Sequence, residues 1–81
     1  MRALVAIPVF NEEKYLREVL EQTLVYPVDI LAVDDGSTDS TPAVLKEFPT
    51  VRVVRHATNR GYGGALRTAF DDAIKHSYDV V

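Results

Sequence analysis

The sequence lacks cysteine and tryptophan and has no long apolar segment. Without cysteine the chain can form neither a disulfide framework nor a thiolate zinc site, which fits a reducing compartment. Its N-terminal apolar run, residues 3–10, is interrupted by Pro8 and lacks the small-residue cleavage site of a signal peptide. A membrane-spanning helix requires about 18 to 20 apolar residues, and no segment approaches that length. We therefore expect a soluble chain in the cytoplasm.

The sequence also lacks an excess of positive charge. Nine Lys and Arg residues stand against twelve Asp and Glu residues, for a formal net charge of −3. Nonspecific binding to nucleic acid depends on the neutralisation of phosphates by basic side chains, so we expect no nucleic-acid partner. With 81 residues, 47% hydrophobic and 26% charged, the composition is that of one small globular domain.

Strand-like and helix-like segments alternate along the chain. Three short segments are predicted to be strands. Residues 3–7 are a continuous apolar run, typical of a strand buried on both faces, and residues 30–33 are a second apolar run. Val51, Val53 and Val54 mark the third strand. Residues 79–81 look like the start of a fourth strand. The order β-α-β-α-β-α-β predicts an α/β fold with a partial doubly wound parallel sheet. A complete domain of this kind usually exceeds about 100 residues, so we expect residues 1–81 to be part of a larger domain.

Three amphipathic segments are predicted to be helices. Asn11 is expected to cap the first, which ends before Pro27, and the second runs from Pro42 to about Phe48. The third helix has a predicted apolar stripe of Leu66, Ala69, Phe70, Ala73 and Ile74.

Three polar or glycine-rich turns follow the three strands: residues 8–12, 34–39 and 56–64. In open parallel sheets, ligands bind beyond the carboxyl ends of the strands, so these turns are the candidate site. The third turn contains Gly61-Tyr62-Gly63, but Leu66 stands where a dinucleotide-binding motif needs its third glycine. Backbone N–H groups at the glycine-rich helix start remain candidates for contact with a ligand phosphate.

Two adjacent aspartates, Asp34 and Asp35, follow the second strand. A capped turn would use one of them, but adjacent like charges repel, and we favour a ligand role for at least one. Three roles are possible for the pair: a metal site, a phosphoryl-transfer nucleophile, or the binding of a polar ligand. Spacing argues against phosphoryl transfer, because Val33 stands where an Asp-x-Asp-Gly-Thr motif would place its nucleophile. Pro8 and Val9 likewise occupy the turn in which a receiver domain carries its paired acids.

Together the three turns resemble a known family. The segments IPVFNEE at residues 7–13, VDDGSTDST at 33–41 and NRGYGGALRTAF at 59–70 resemble the N-terminal part of the family 2 glycosyltransferases. These are inverting enzymes with the GT-A fold that use nucleotide sugars. The third segment is most similar to the dolichyl-phosphate mannose synthase and polyprenyl-phosphate glycosyltransferase branch, in which a hexose passes from GDP-mannose or UDP-glucose to a lipid phosphate.

The resemblance implies a nucleotide-binding set of residues: Pro8, Phe10, Glu12, Val33 and Asp35, with Asp34, Arg60 and Gly61 beside them. Phe10 departs from the family's usual tyrosine, so its ring can pack on the nucleotide but offers no phenol hydrogen bond. Asp35 is expected to accept the ring N–H of uracil, or the N1–H and amine of guanine. Arg60 or Arg67 would neutralise the diphosphate, although Arg67 fits a solvated helix face equally well. The hydroxyls of Ser37 and Thr38 are expected to cap the following helix.

The family's metal-binding and catalytic parts are expected beyond residue 81. The Asp-x-Asp motif, which holds Mg²⁺ or Mn²⁺ on the sugar diphosphate, follows the strand that residues 79–81 begin. The resemblance therefore implies no catalytic and no metal-binding residue in this chain, and no activity of the chain alone. The whole enzyme is expected at the cytoplasmic face of a membrane. The competing hypothesis is a non-catalytic βα module that pairs through an open sheet edge with another chain or with itself.

Overall fold

The computed structural model describes residues 2–81 and contains a three-stranded parallel sheet. Its strands are β1 (Leu4–Val9), β2 (Asp29–Asp34) and β3 (Arg52–Arg55), with β2 in the centre. Three helices connect and follow them: α1 (Leu16–Thr23), α2 (Thr41–Leu45) and α3 (Gly61–Lys75). The α/β class with a parallel sheet, predicted from the alternation of segments, is confirmed. Within residues 2–81, no helix combines the length and the apolar composition needed to cross a bilayer.

The predicted fourth strand is reduced to a single parallel bridge between Ala3 and Val80. The Leu4 N–H donates to the Val80 carbonyl at 2.8 Å, whereas the Ala3 carbonyl accepts from the Asp29 N–H at 3.4 Å. Because neighbouring residues of a strand direct their hydrogen bonds to opposite sides, Val80 lies on the side of β1 away from β2. The strands are added to the sheet in the order β1, β2 and β3, and the chain then comes back to the other side of β1 at Val80.

The sheet is covered on both faces, because alternate residues of β2 point to opposite sides. Ile30 and Ala32 pack with α1 and α2, and the buried residues of this cluster are Val9, Leu16, Leu20, Ile30, Ala32, Val44, Leu45 and Val51. Leu31 and Val33 pack with α3, in a cluster whose buried residues are Leu4, Leu31, Val33, Ala65, Ala69 and Ala73. The two clusters confirm the doubly wound arrangement.

The predicted apolar stripe of α3 is wrong in part. The buried residues are Ala65, Ala69 and Ala73, spaced by four, while Phe70 is 55% and Ile74 is 77% exposed. Small side chains let the helix axis lie close to the sheet, and this turns the larger side chains away from it. Hydrophobicity alone favours the larger residues, so the predicted stripe included Phe70 and Ile74 and left out Ala65, whereas Ala69 and Ala73 were predicted correctly.

The predicted cap of α1 by Asn11 is also wrong. Asn11 has a φ of +50°, and its Oδ1 accepts from the backbone N–H groups of Thr38 at 2.8 Å and Asp39 at 3.3 Å. The helix begins only at Leu16, after Tyr15, whose side chain makes no capping hydrogen bond. Asn11 therefore stabilises the neighbouring turn after β2 instead of its own helix.

Candidate functional site

The three turns predicted to form the site meet at the carboxyl ends of the strands. A cavity of about 240 Å³ lies there, and we call it the edge pocket; its lining residues are Pro8, Val9, Phe10, Glu12, Asp35, Asn59, Gly61, Tyr62 and Ala65. It lies near β1, where the chain changes direction across the sheet, which is the usual ligand position in such folds. Five of the predicted residues line it: Pro8, Phe10, Glu12, Asp35 and Gly61.

Asp35 is the most heavily hydrogen-bonded group of the edge pocket. Its Oδ1 accepts from His56 Nδ1 at 2.7 Å and from the Arg60 N–H at 2.8 Å, and its Oδ2 accepts from the Gly61 N–H at 2.9 Å. The hydrogen bond from His56, followed by that from the Arg60 N–H, holds the pKa of the Asp35 carboxyl below its ordinary value. Asp35 is therefore an anion that fastens the first N–H groups of α3 to the end of β2.

A glycine permits the close approach of the second and third turns. Gly36 has a φ of +77°, and a Cβ at this position would lie 2.8 Å from the Asn59 backbone nitrogen and 2.9 Å from the Thr58 carbonyl carbon. Both the backbone conformation and the absence of a side chain are needed here. Gly36 thus allows the turn that carries Arg60 and Gly61 to reach Asp35.

Asp34 has a different role from its neighbour. It is 1% exposed, its Oδ2 accepts from Arg55 at 3.0 Å, and its Oδ1 accepts from the Ser37 N–H at 3.0 Å. Arg55 also donates to the Ser37 carbonyl at 2.9 Å. The opposed charge of Arg55 offsets the repulsion between the two adjacent carboxylates, and Asp34 orients the turn that follows β2.

The first turn is held by two hydroxyl groups, one from the second turn and one from the first residue of α2. The Ser37 hydroxyl accepts from the Asn11 N–H at 2.9 Å, and the Thr41 hydroxyl accepts from the Glu12 N–H at 3.0 Å. The expected capping of α2 by Ser37 and Thr38 is therefore wrong, because the Ser37 hydroxyl is directed to the first turn and Thr38 donates to Asn11. At the start of α2, the Thr41 N–H donates instead to the Asp39 carboxylate at 2.8 Å.

The remaining predicted residues lie around the pocket without lining it. The Val33 side chain is fully buried in the cluster under α3. Arg60, just before α3, and Arg67, within α3, are both exposed. The N–H groups of Arg60 and Gly61, which the sequence left as candidates for phosphate contact, are hydrogen-bonded to Asp35.

Sequence reasoning did not assign a role to His56, which does not line the edge pocket but contacts Asp35 of its wall. His56 is 2% exposed; its Nδ1 contacts Asp35 and its Nε2 lies 2.7 Å from the Thr68 hydroxyl. The usable signal was its position directly after β3, since the ends of neighbouring parallel strands lie side by side. No partner of His56 is close to it in the sequence.

The site does not offer a metal centre among residues 2–81, where no three His, Asp or Glu side chains form a ligand cluster. The carboxylates of Asp34 and Asp35 are already engaged by N–H donors and by a guanidinium group. A larger cavity of about 370 Å³ lies beside β3 and α2, with a mainly apolar lining that includes Leu45, Phe48 and Val53. The edge pocket is the better candidate because polar groups from three turns converge on it.

Comparisons with known proteins agree with this geometry. Residues 4–75 match the sequence profile of Glycosyl transferase family 2. A Methanocaldococcus jannaschii protein of uncharacterized function is 38% identical over 78 residues, which cover 95% of this chain and 32% of the relative. An undecaprenyl-phosphate mannosyltransferase of Micrococcus luteus is 36% identical over 87 residues, covering 100% of this chain and 36% of the relative.

A UDP-N-acetylglucosamine–dolichyl-phosphate N-acetylglucosaminyltransferase of Methanococcus voltae is 31% identical over 91 residues, covering 91% of this chain and 36% of that protein. The chain thus spans about a third of the length of these relatives. The strand and helix order of the structure is consistent with the N-terminal part of a GT-A fold. With the profile matching almost from end to end, the chain belongs to glycosyl transferase family 2.

Proposed function

We propose that this chain is the nucleotide-binding portion of a glycosyltransferase that moves a hexose, with inversion, from a UDP- or GDP-sugar to a lipid phosphate. The observation that carries the proposal is the convergence of Asp35, Phe10 and Glu12 on one pocket at the carboxyl edge of the sheet. The names of two relatives, which specify undecaprenyl phosphate and dolichyl phosphate, support the class of acceptor.

The edge pocket has the groups that a nucleotide needs. Phe10 is 45% exposed and presents an aromatic face on which a base or ribose can stack. Asp35 presents an anionic acceptor at the pocket wall, which suits a base that carries a ring N–H. Pro8 adds a rigid apolar wall, and Arg60 is exposed at the rim, where it can approach a diphosphate.

We assign the metal and the catalytic base to parts of the enzyme outside residues 2–81. Mg²⁺ or Mn²⁺ would neutralise the charge of the departing nucleoside diphosphate. The described carboxylates do not fit this task, because Asp34 and Asp35 already accept hydrogen bonds from the protein on both of their oxygens. This chain alone would then bind nucleotide without turnover, and the whole enzyme would act at the cytoplasmic face of a membrane.

The proposal is tested by nucleotide titration of the 81-residue chain. We expect UDP or GDP to shift the backbone amide resonances of Phe10, Glu12 and Gly61 in ¹H–¹⁵N NMR spectra, with dissociation constants in the micromolar to millimolar range. Arg2 and Tyr78 lie near the amino ends of the strands, away from the edge pocket, and serve as the internal control. Their amide resonances should not shift. Absence of any shift near the edge pocket with both nucleotides at millimolar concentration would overturn the proposal.

A second candidate function follows from the unpaired side of the outer strand β3. β3 is an outer strand, and its Val53 is 45% exposed beside the larger apolar cavity. Open strand edges can pair with another chain, so a non-catalytic module that self-associates through β3 is the alternative. Sedimentation equilibrium distinguishes the two: a dimer that Val53→Lys dissociates, without nucleotide binding, would favour the module.

A further inference from the structure

The donors around Asp35 can be counted oxygen by oxygen. An ionised carboxylate has about four acceptor positions, two on each oxygen. Two donors from the described residues reach Oδ1, His56 Nδ1 and the Arg60 N–H, whereas Oδ2 receives the Gly61 N–H. One acceptor position is therefore left, and it belongs to Oδ2.

The hydrogen bond from His56 to Oδ1 is fixed from both sides of the imidazole ring. Since the Asp35 pKa is held low, the carboxylate is ionised at neutral pH and the shared hydrogen must belong to His56 Nδ1. The other ring nitrogen is 2.7 Å from the Thr68 hydroxyl, and the ring is 2% exposed. A ligand can therefore take this position on Oδ1 only by displacing a buried side chain.

We propose that the Asp35–His56 pair makes the edge pocket selective for a uracil nucleotide over a guanine nucleotide. This inference rests on the proposed function and narrows its donor to a UDP-sugar. Guanine presents N1–H and an exocyclic N–H side by side, and a carboxylate that accepts from both uses one acceptor position on each of its oxygens. Uracil presents a single N3–H between two carbonyl groups, which matches the one open position on Oδ2.

The expected selectivity follows from the donor that guanine leaves unpaired. A buried donor without an acceptor weakens binding by about tenfold or more. UDP and GDP carry the same ribose and diphosphate, so the ratio of their dissociation constants isolates the base. We expect UDP to bind the parent chain about tenfold more tightly than GDP.

Variants of the two histidines test the assignment. His56→Leu removes the donor to Oδ1, opens a second acceptor position, and should bring the ratio of the GDP and UDP dissociation constants close to one. His56→Asn places an amide N–H where Nδ1 lies and should preserve the parent ratio. His76, at the opposite edge of the sheet, is the matched control, and His76→Leu should also preserve it. Calorimetry gives the affinities, and ¹H–¹⁵N spectra verify that each variant is folded.

The outcomes separate this inference from the proposed function. If the parent binds GDP as tightly as UDP, or if folded His56→Leu keeps the full preference for UDP, the inference is wrong while nucleotide binding stands. If neither nucleotide binds, the proposed function fails and the inference fails with it. Should His56→Leu not fold, the parent ratio and the His56→Asn ratio still decide, because a loss of selectivity in a folded His56→Asn variant contradicts the role of the Nδ1 donor.

Discussion

Gly36 offers a quantitative test of how the site is assembled. Gly36→Ala places a methyl group 2.8 Å from the Asn59 nitrogen, in a residue whose φ is +77°. The left-handed conformation costs about 1–2 kcal/mol for alanine, and forcing an extra methyl group against packed atoms costs about 1–3 kcal/mol. We therefore expect the free energy of unfolding to fall by about 2–5 kcal/mol. This is a large part of the roughly 4–12 kcal/mol expected for a domain of this size.

Two other glycines separate strain from steric conflict. Gly61 has a φ of +80°, but a Cβ there would meet nothing within 4 Å, so Gly61→Ala should cost only the strain, about 1–2 kcal/mol. Gly63 lies in α3 with neither a positive φ nor a close neighbour, and Gly63→Ala should stabilise the helix by about 0.5–1 kcal/mol.

Urea unfolding followed by circular dichroism measures all three free energies. The order Gly63→Ala, Gly61→Ala, Gly36→Ala, from most to least stable, is the expected result. If Gly36→Ala loses no more stability than Gly61→Ala, the close contact between the turns after β2 and β3 does not exist in solution. The assembly of the edge pocket would then need a different explanation.

Three further changes probe the charges and the aromatic wall. The pKa of Asp35 lies below its ordinary value of 3.8. Because the folded state then binds fewer protons at this group than the unfolded state does, the contribution of Asp35 to the free energy of unfolding should be fully present above about pH 5. It should be lost as acid titrates the group, measured by urea unfolding at several pH values. Asp72→Asn breaks a paired hydrogen bond to the half-exposed Arg52 and should lower the free energy of unfolding at pH 7 by about 1 kcal/mol. Because the hydrogen bond from Arg52 holds the pKa of Asp72 below its ordinary value, this difference should shrink as acid protonates Asp72. Phe10→Ala should leave the unfolding midpoint almost unchanged, because the ring is 45% exposed. It should nevertheless weaken UDP binding by about fivefold or more, measured by calorimetry. If the variant and the parent chain bind UDP equally tightly, the base does not stack on this ring.

The sequence predicted the parts of the fold that depend on strong local patterns. The run Ile30 to Val33 is apolar at every position, and it forms the central strand because both of its faces are covered. The pattern in α3 was misleading, since alanine is both a small apolar residue and a good helix former, and its burial depends on how closely the helix approaches the sheet. Asn11 was misassigned because its side chain can cap a helix or bind a distant turn with equal chemistry.

The sequence was enough to predict which turns form the site, but not which residues contact each other within it. The ends of parallel strands lie at one edge, so Asp35 and Phe10 could be placed together before their contacts were known. The partners of Asp35 could not, because His56 and Gly61 are 21 and 26 residues away along the chain. Contacts over such separations depend on the register of β2 and β3 and on the close approach at Gly36, which no local pattern encodes.

Asp35 combines two roles that constrain each other. Three of its acceptor positions hold His56 and the first N–H groups of α3, so the carboxylate cannot offer them to a ligand without releasing the helix from the end of β2. Replacing Asp35 would therefore disturb folding and recognition together, and the result would not distinguish them. His56 occupies one acceptor position and leaves the two backbone hydrogen bonds to α3 in place. For this reason, variants of His56 separate base selectivity from the assembly of the pocket, which variants of Asp35 cannot do.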